Sequence, residues 1–198
     1  MDQIKTLVNR LKTYQPKMLD EDMPEAGILV LVTCNPSDPK VILTRRAQHL
    51  NTHKGQVAFP GGKFDTEDLT VLNTALRECH EEIGVAPVDV EIIGSLSQVI
   101  SLHGIKVTPY VGLVAEDITL VPNLDELDSI FKVPTEYILN AEPKRRDRMT
   151  YKGVALSVPS YDYQDIDDSY EIWGLSAIVL VELLNLAFAA NITIFEGQ

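Results

Sequence analysis

Apolar and polar positions follow two rhythms along this chain. Ile4, Leu7, Val8 and Leu11 recur at helical spacing and predict an amphipathic helix over residues 2–14. A connector bounded by Pro16 and Pro24 follows. Residues 26–34 are then a run of Val, Ile and Leu that reads as a buried strand. Residues 40–46 read as a second strand, folded back on the first through Asn35-Pro36-Ser37-Asp38-Pro39. Residues 88–100 predict strand with a break near Gly94. Residues 105–115 predict another, in which Pro109 indicates an edge position or a bulge. Lys144-Arg145-Arg146-Asp147-Arg148 reads as a basic loop, either exposed or reaching a second phosphate, and residues 161–170 as a hairpin or loop. Residues 175–190 are apolar apart from Glu182 and Asn185, as in a buried or dimer-facing helix, with 170–175 opening it. Trp173 in that opening is core or a base-stacking platform, with core favoured. Helices interleaved with strands and hairpins give an α/β fold with a mixed sheet.

Residues 61–85 stand apart from this background. They read as a loop followed by a helix, with Asp65 as the N-terminal cap, Asp68 three residues on as in a capping box, and Gly84 at the left-handed C-terminal position. At about 100° per residue, Leu72, Leu76, Cys79 and Ile83 form a core stripe. Glu78, Glu81 and Glu82 lie on the other side. Carboxylates at these spacings are about 5–6 Å apart at Cβ and repel one another. A hard divalent cation relieves the repulsion: Mg²⁺ takes carboxylate oxygens plus water and is commonly shared with a substrate phosphate. A lone Glu-x-x-Glu-Glu is ordinarily a solvated acidic face. Here the preceding Gly61-Gly62, the adjacent Arg77 and the terminating Gly84 turn the reading toward a metal site.

Charge sharpens the picture. The 198 residues carry 17 Lys+Arg against 29 Asp+Glu, a net −12. That argues against nucleic acid or an anionic membrane as the main partner. It would also repel a polyphosphate, so binding one needs a cation and a local basic patch. Positive charge does concentrate just before the acidic helix, at Arg45, Arg46 and Lys54. Singly each is as readily surface; as a group they are candidate phosphate grips, for which the arginine fork is suited. His49 and His53 lack a helical pattern and a third ligand, so hydrogen bonding is favoured over zinc. Cys34 and Cys79 form neither a disulfide framework nor a zinc site. With 45% hydrophobic residues the chain reads as one globular domain, 1–198, with a helix and connector over 1–25. The N-terminus lacks a signal-peptide pattern, and residues 175–190 are too short and interrupted for a membrane span. The expected compartment is the cytoplasm, and the apolar C-terminal helix leaves room for a homodimer.

Arg77-Glu78-Cys79-His80-Glu81-Glu82-Ile83-Gly84-Val85 resembles the second half of the Nudix box of Nudix hydrolases at every fixed position. The first half departs: the acid five residues after Gly62 is Asp68 rather than Glu, and eight residues rather than seven separate it from Arg77. Leu43-Thr44-Arg45-Arg46, followed by His53-Lys54-Gly55-Gln56-Val57-Ala58-Phe59-Pro60-Gly61-Gly62, is similar to the extra motif of the coenzyme A pyrophosphatase branch. That branch shares the Asp and the extra residue. The resemblance runs from about residue 26 to about 185 and is densest over 41–85.

The resemblance implies a Nudix α/β/α sandwich and hydrolysis of a diphosphate linkage. It implies Mg²⁺ or Mn²⁺ held by Glu78 and Glu82, with Glu81 and the Gly61 carbonyl, and Arg77 holding a carboxylate of the cluster. Either Glu78 or Glu126 then serves as the base; the rival role for Glu126 is at a helix N-terminus, favoured by the macrodipole. The implied substrate is coenzyme A or its thioesters, cut to adenosine 3′,5′-bisphosphate and (acyl-)4′-phosphopantetheine, with Arg45, Arg46 and Lys54 on the phosphates. Two alternatives stay open: another nucleoside diphosphate compound such as ADP-ribose or a dinucleotide, and a non-catalytic nucleotide sensor.

Overall fold

A computed structural model describes residues 2–50, 52–151, 154–166 and 168–194. The first helix, α1 (Gln3–Thr13), is capped by Asp2, whose carboxylate accepts from Lys5 N at 3.0 Å, and it buries Leu7 and Leu11. The strands β1 (Glu25–Thr33), β2 (Lys40–Arg46), β3 (Val57–Ala58) and β4 (Gly61–Lys63) precede helix α2 (Val71–Ile83). Next come β5 (Glu91–Ser95), β6 (Val99–Ile100), β7 (Lys106–Val114), β8 (Leu127–Pro134) and the short α3 (Thr135–Asn140). A three-stranded sheet, β9 (Arg145–Tyr151), β10 (Val154–Gln164) and β11 (Ser169–Ile172), leads into α4 (Gly174–Phe188).

The arrangement depends on β1. Along one edge it pairs in parallel with β7, from Glu25↔Lys106 to Thr33↔Val114. Its other edge is divided. Near its end it meets β2 at Val32↔Val41, while its beginning pairs with β4 through Ala26↔Lys63, Gly27↔Gly62 and Ile28↔Gly61. β2 pairs with β8 along its whole length, from Lys40↔Pro134 to Arg46↔Leu127, and it meets β3 at Thr44 and Arg45. The sheet is therefore split between β1 and β2, and the Gly61-Gly62 loop enters at the split.

Side chains of β1 alternate between two cores. Leu29 and Leu31 pack with Ala75, Cys79 and Ile83 of α2, whereas Val30 and Val32 share a core with Leu7 and Leu11 of α1 and Leu180 and Leu184 of α4. A strand covered on both faces has no need of polar alternation, hence its unbroken apolar run. Helices on both faces of a mixed sheet make the α/β/α sandwich that the sequence resemblance implies. The apolar C-terminal helix is buried within the chain itself, at Val179, Leu180, Leu183 and Leu184 among others.

Three local expectations change. Strand β7 is interior, between β1 on one side and β5 and β6 on the other, so Pro109 is not at an edge. It faces the gap between β5 and β6, where its carbonyl accepts from Leu96 N at 2.9 Å and no ladder N–H is required of it. Residues 145–148 are strand rather than loop, held by Ser157↔Arg148 to Ser160↔Arg145. No helix follows Glu126, which ends a turn leading straight into β8.

Candidate active site

The acidic helix begins later than its sequence suggests. Asp65 caps a separate 3₁₀ turn, Thr66–Asp68, by accepting from Glu67 N at 2.9 Å. Leu69 then adopts φ 66°, and Thr70 caps α2 by accepting from Asn73 N at 3.1 Å. The helix ends at Gly84 in the left-handed conformation, as expected. Its buried arc comprises Thr74, Ala75, Cys79, Glu82 and Ile83, while Leu72 is only half-buried. Burial pushes the Cys79 thiol up to about 12, as befits a small core residue.

Glu82 is thus not on an outward acidic face. It is 4% exposed and turned into the split of the sheet, where its Oε2 accepts from Gly61 N at 3.0 Å. The Arg46 guanidinium stands 3.9 Å from the other oxygen. Burial, helped by the charges of Glu78 and Glu126, pushes its carboxyl up to about 7 against the pull of the Gly61 N–H and Arg46. Glu78 is also shifted upward, chiefly by burial, with Arg77 opposing and Glu81 and Glu126 adding.

Arg77 organises the other acids. Its Nε and Nη2 donate to both oxygens of Asp68, at 2.8 and 3.0 Å, in a bidentate fork. Its Nη2 also lies 2.9 Å from Glu78 Oε1, and its Nη1 donates to Glu81 Oε2 at 2.8 Å. Asp68 further accepts from the Thr74 hydroxyl at 2.8 Å, and the Arg77 hydrogen bonds hold its carboxyl down at about 2. Asp68, Thr70 and Thr74 therefore belong to the site. Thr70 and Thr74 share the helix face of Arg77 and Glu81, a spacing visible in the sequence but chemically mute until Asp68 is placed beside them.

Glu126 reaches the cluster from the turn before β8. Asn123 Nδ2 donates to its Oε1 at 3.4 Å, and its carbonyl accepts from Ala47 N at 2.8 Å. The Asn123 backbone N–H in turn donates to the carbonyl of Glu82 at 2.9 Å, which ties this turn to the end of α2. Among the described residues no three acidic, imidazole or thiol groups already converge on one point, because Glu78 and Glu81 are turned onto Arg77. The donor set nonetheless fits a hard cation. It is all oxygen, its members oppose one another electrostatically, and Glu82 is buried with a single arginine nearby. Gly62 supplies the room: a Cβ there would lie 2.3 Å from the Glu78 carboxyl carbon.

The predicted phosphate grips separate. Arg46 adjoins Glu82, and Lys54 is exposed on the loop between β2 and β3. Arg45 turns toward the β10–β11 hairpin, with Nη2 2.6 Å from Asp168 Oδ2 and its guanidinium 5.2 Å from the centre of the Tyr170 ring, which stacks on Phe131. His49 Nε2 donates to Asp125 O at 3.1 Å, and the His53 ring meets His103 edge-on at 4.9 Å. The second basic cluster is engaged locally. Lys144 pairs with Asp162, Arg145 with Asp147 and Glu171, and Arg146 donates to the carbonyls of Ser157 and Thr193. Trp173 is half-buried at the start of α4.

Known proteins are similar to this chain in sequence and in fold. The NUDIX domain family model matches residues 23–149. An uncharacterised Nudix hydrolase, NudL, of Yersinia enterocolitica is 36% identical over 174 residues, 88% of this chain and 87% of the relative. Nudix hydrolase 15, mitochondrial, of Arabidopsis thaliana is 33% identical over 165 residues, 82% of this chain but 58% of that longer protein. Among solved structures, a MutT/nudix family protein from Enterococcus faecalis aligns with a TM-score of 0.52 at 18% identity, covering 94% of this chain and 68% of that one, a likeness of fold.

Proposed function

On the premise that the chain belongs to the Nudix hydrolase family and hydrolyses pyrophosphate bonds, we propose that its substrate is coenzyme A or a coenzyme A thioester. The products would be adenosine 3′,5′-bisphosphate and (acyl-)4′-phosphopantetheine. The observation that carries this reading is the Leu43–Arg46 and His53–Gly62 motif, whose Arg46 stands beside the acid cluster at Glu82. All 198 residues act as one Nudix unit in this reading. Its compartment is the cytoplasm. Among the described residues no helix is long and apolar enough to cross a membrane.

Nudix hydrolases generally use divalent metals, and Glu78, Glu81 and Glu82 with the Gly61 carbonyl are the groups that would hold Mg²⁺ or Mn²⁺ here. Bound there, the ion supplies Lewis-acid charge to the diphosphate and eases deprotonation of the attacking water. The chain's own residues do the rest. Glu78 or Glu126 takes the proton as the water oxygen bonds to phosphorus and the bridging P–O bond breaks. Arg77 keeps Glu78 and Glu81 oriented. Arg46 and Lys54 offset the phosphate charge in a chain that is otherwise strongly acidic. Arg45 joins them by exchanging Asp168 for a phosphate oxygen.

The test is a substrate panel of coenzyme A, acetyl-coenzyme A, ADP-ribose and a diadenosine polyphosphate, each with Mg²⁺ or Mn²⁺, read by product mass. Coenzyme A and its thioester are expected to be cut fastest, to the two products named. Preferential hydrolysis of ADP-ribose or the dinucleotide would replace this substrate. A panel left intact by wild type and Glu78→Gln alike would favour the nucleotide sensor.

A further inference from the structure

Thr74 lies in the first turn of α2 and is fully buried, yet its hydroxyl is not turned chiefly back onto the helix. It donates to Asp68 Oδ2 at 2.8 Å, while the carbonyl of Thr70, the usual acceptor for a helical threonine, is 3.4 Å away. Asp68 is anchored from its backbone as well. Its carbonyl accepts from Thr70 N and from Asn73 Nδ2, both at 2.8 Å. The carboxylate held in this way is the one that grips Arg77, and Arg77 is the group that orients Glu78 and Glu81. A continuous chain of polar contacts thus runs from a buried hydroxyl to the acids of the site.

The shorter acid and the extra residue belong together in this geometry. Aspartate reaches one methylene less far than glutamate. Leu69, 82% exposed and at φ 66°, lets the backbone double back so that Asp68 sits against the side of α2. There it meets Thr74 and Arg77 on one helix face. One Asp68 oxygen takes both the Thr74 hydroxyl and Arg77 Nη2, so the hydroxyl and the guanidinium together fix the carboxylate plane.

We propose that Thr74 is a positioning residue for the hydrolytic site: its hydroxyl sets the Asp68 carboxylate, and through Arg77 the orientation of the metal-holding acids. The proposal rests on the pyrophosphohydrolase reading above but not on the identity of the substrate. Thr74→Val keeps the buried volume and removes the donor. Thr74→Ser keeps the donor and removes a methyl group. Outer-shell groups of this kind are worth about tenfold or more in metal affinity or activity. We therefore expect Thr74→Val to lose about tenfold in Mn²⁺ affinity and in kcat, with the KM for coenzyme A changed less than about twofold. Thr74→Ser should recover most of that loss.

The readout is Mn²⁺ titration of the purified full chain by electron paramagnetic resonance, without substrate, alongside kcat and KM. A role in packing alone predicts the reverse order, Val like wild type and Ser impaired, and would overturn the proposal. So would unchanged Mn²⁺ affinity in the Val variant. If circular dichroism shows Thr74→Val unfolded, Ser against Ala decides: a large gap supports the hydroxyl and equal losses exclude it. If Mn²⁺ binding follows the hydroxyl while no substrate on the panel is cut, the coenzyme A reading falls, and what stands is that Thr74 positions the metal-holding acids.

Discussion

Glu82 and Asp68 are carboxylates of one site pushed in opposite directions, and each leaves its own signature in pH dependence. Glu82 titrates near its ordinary 4.5 in an unfolded chain, but burial raises it to about 7 in the fold. Between those values the native state holds a proton that the unfolded state has released. Its contribution to stability is therefore fully present below about 4.5 and is lost as pH rises through about 7. Thermal melting of metal-free protein should show this window as a difference between wild type and Glu82→Gln that grows from pH 4.5 to 7 and then levels. Because cation and proton compete for the same carboxylate, Mn²⁺ affinity should climb over the same range. Asp68 works in the other sense. Arg77 holds it at about 2, so its contribution is complete above its ordinary value of 3.8 and is lost as pH falls toward 2.

At the scale of elements, the site exists because β4 is drawn into the split beside β1 and brings two glycines against different neighbours. Gly61 has φ 149°, and a Cβ there would lie 2.3 Å from the Gly27 carbonyl oxygen and 2.6 Å from the Ile28 Cα. Neither backbone atom can move aside. Gly61→Ala should therefore lower unfolding free energy by about 2 kcal/mol or more, as measured by denaturant titration. Gly62→Ala meets the far end of the Glu78 side chain instead. It should fold with a loss of less than about 1 kcal/mol yet bind Mn²⁺ poorly, since Glu78 must swing out of place. The two substitutions, one residue apart, should thus separate stability from metal binding. The same element explains why Glu82 is buried although it lies beside Glu78 and Glu81 on the helix. A helical wheel places it between the acids and the core stripe, and only the Gly61 N–H arriving from another strand makes burial of its carboxylate tolerable.

Across the whole molecule, the two ends of the chain are joined away from α2. Glu182 of α4 accepts from Tyr14 OH at 2.5 Å and from Ser97 N at 2.8 Å, while Tyr14 and Ser97 share a further 3.0 Å contact. This knot fastens α1, the break after β5 and α4 on the face opposite the acidic helix. Tyr14→Phe removes a hydrogen bond to a charged group, which is worth about 1.5–3 kcal/mol. Urea unfolding should report a loss of that order, with kcat unchanged because the knot and the acid cluster lie on opposite sides of the sheet. The long reach of such contacts also explains Arg45. Two adjacent arginines are equivalent as a sequence, but the β10–β11 hairpin presents Asp168 and Tyr170 to one of them, and the split in the sheet presents Glu82 to the other.

By itself the sequence determined what depends on neighbours along the chain. This includes the period of α1 and α2, the left-handed stop at Gly84, the apolar run of β1 and the spacing of Arg77, Glu78, Glu81 and Glu82. Tertiary structure alone decided the interior place of β7, the division of β1 between β2 and β4, the burial of Glu82 and the seat of Asp68 under Arg77 and Thr74. The physical reason is common to all four. Local rules act through backbone sterics and short-range periodicity, which every residue carries with it. Whether a polar group is buried, paired or free to bind an ion depends on which distant segment folds against it.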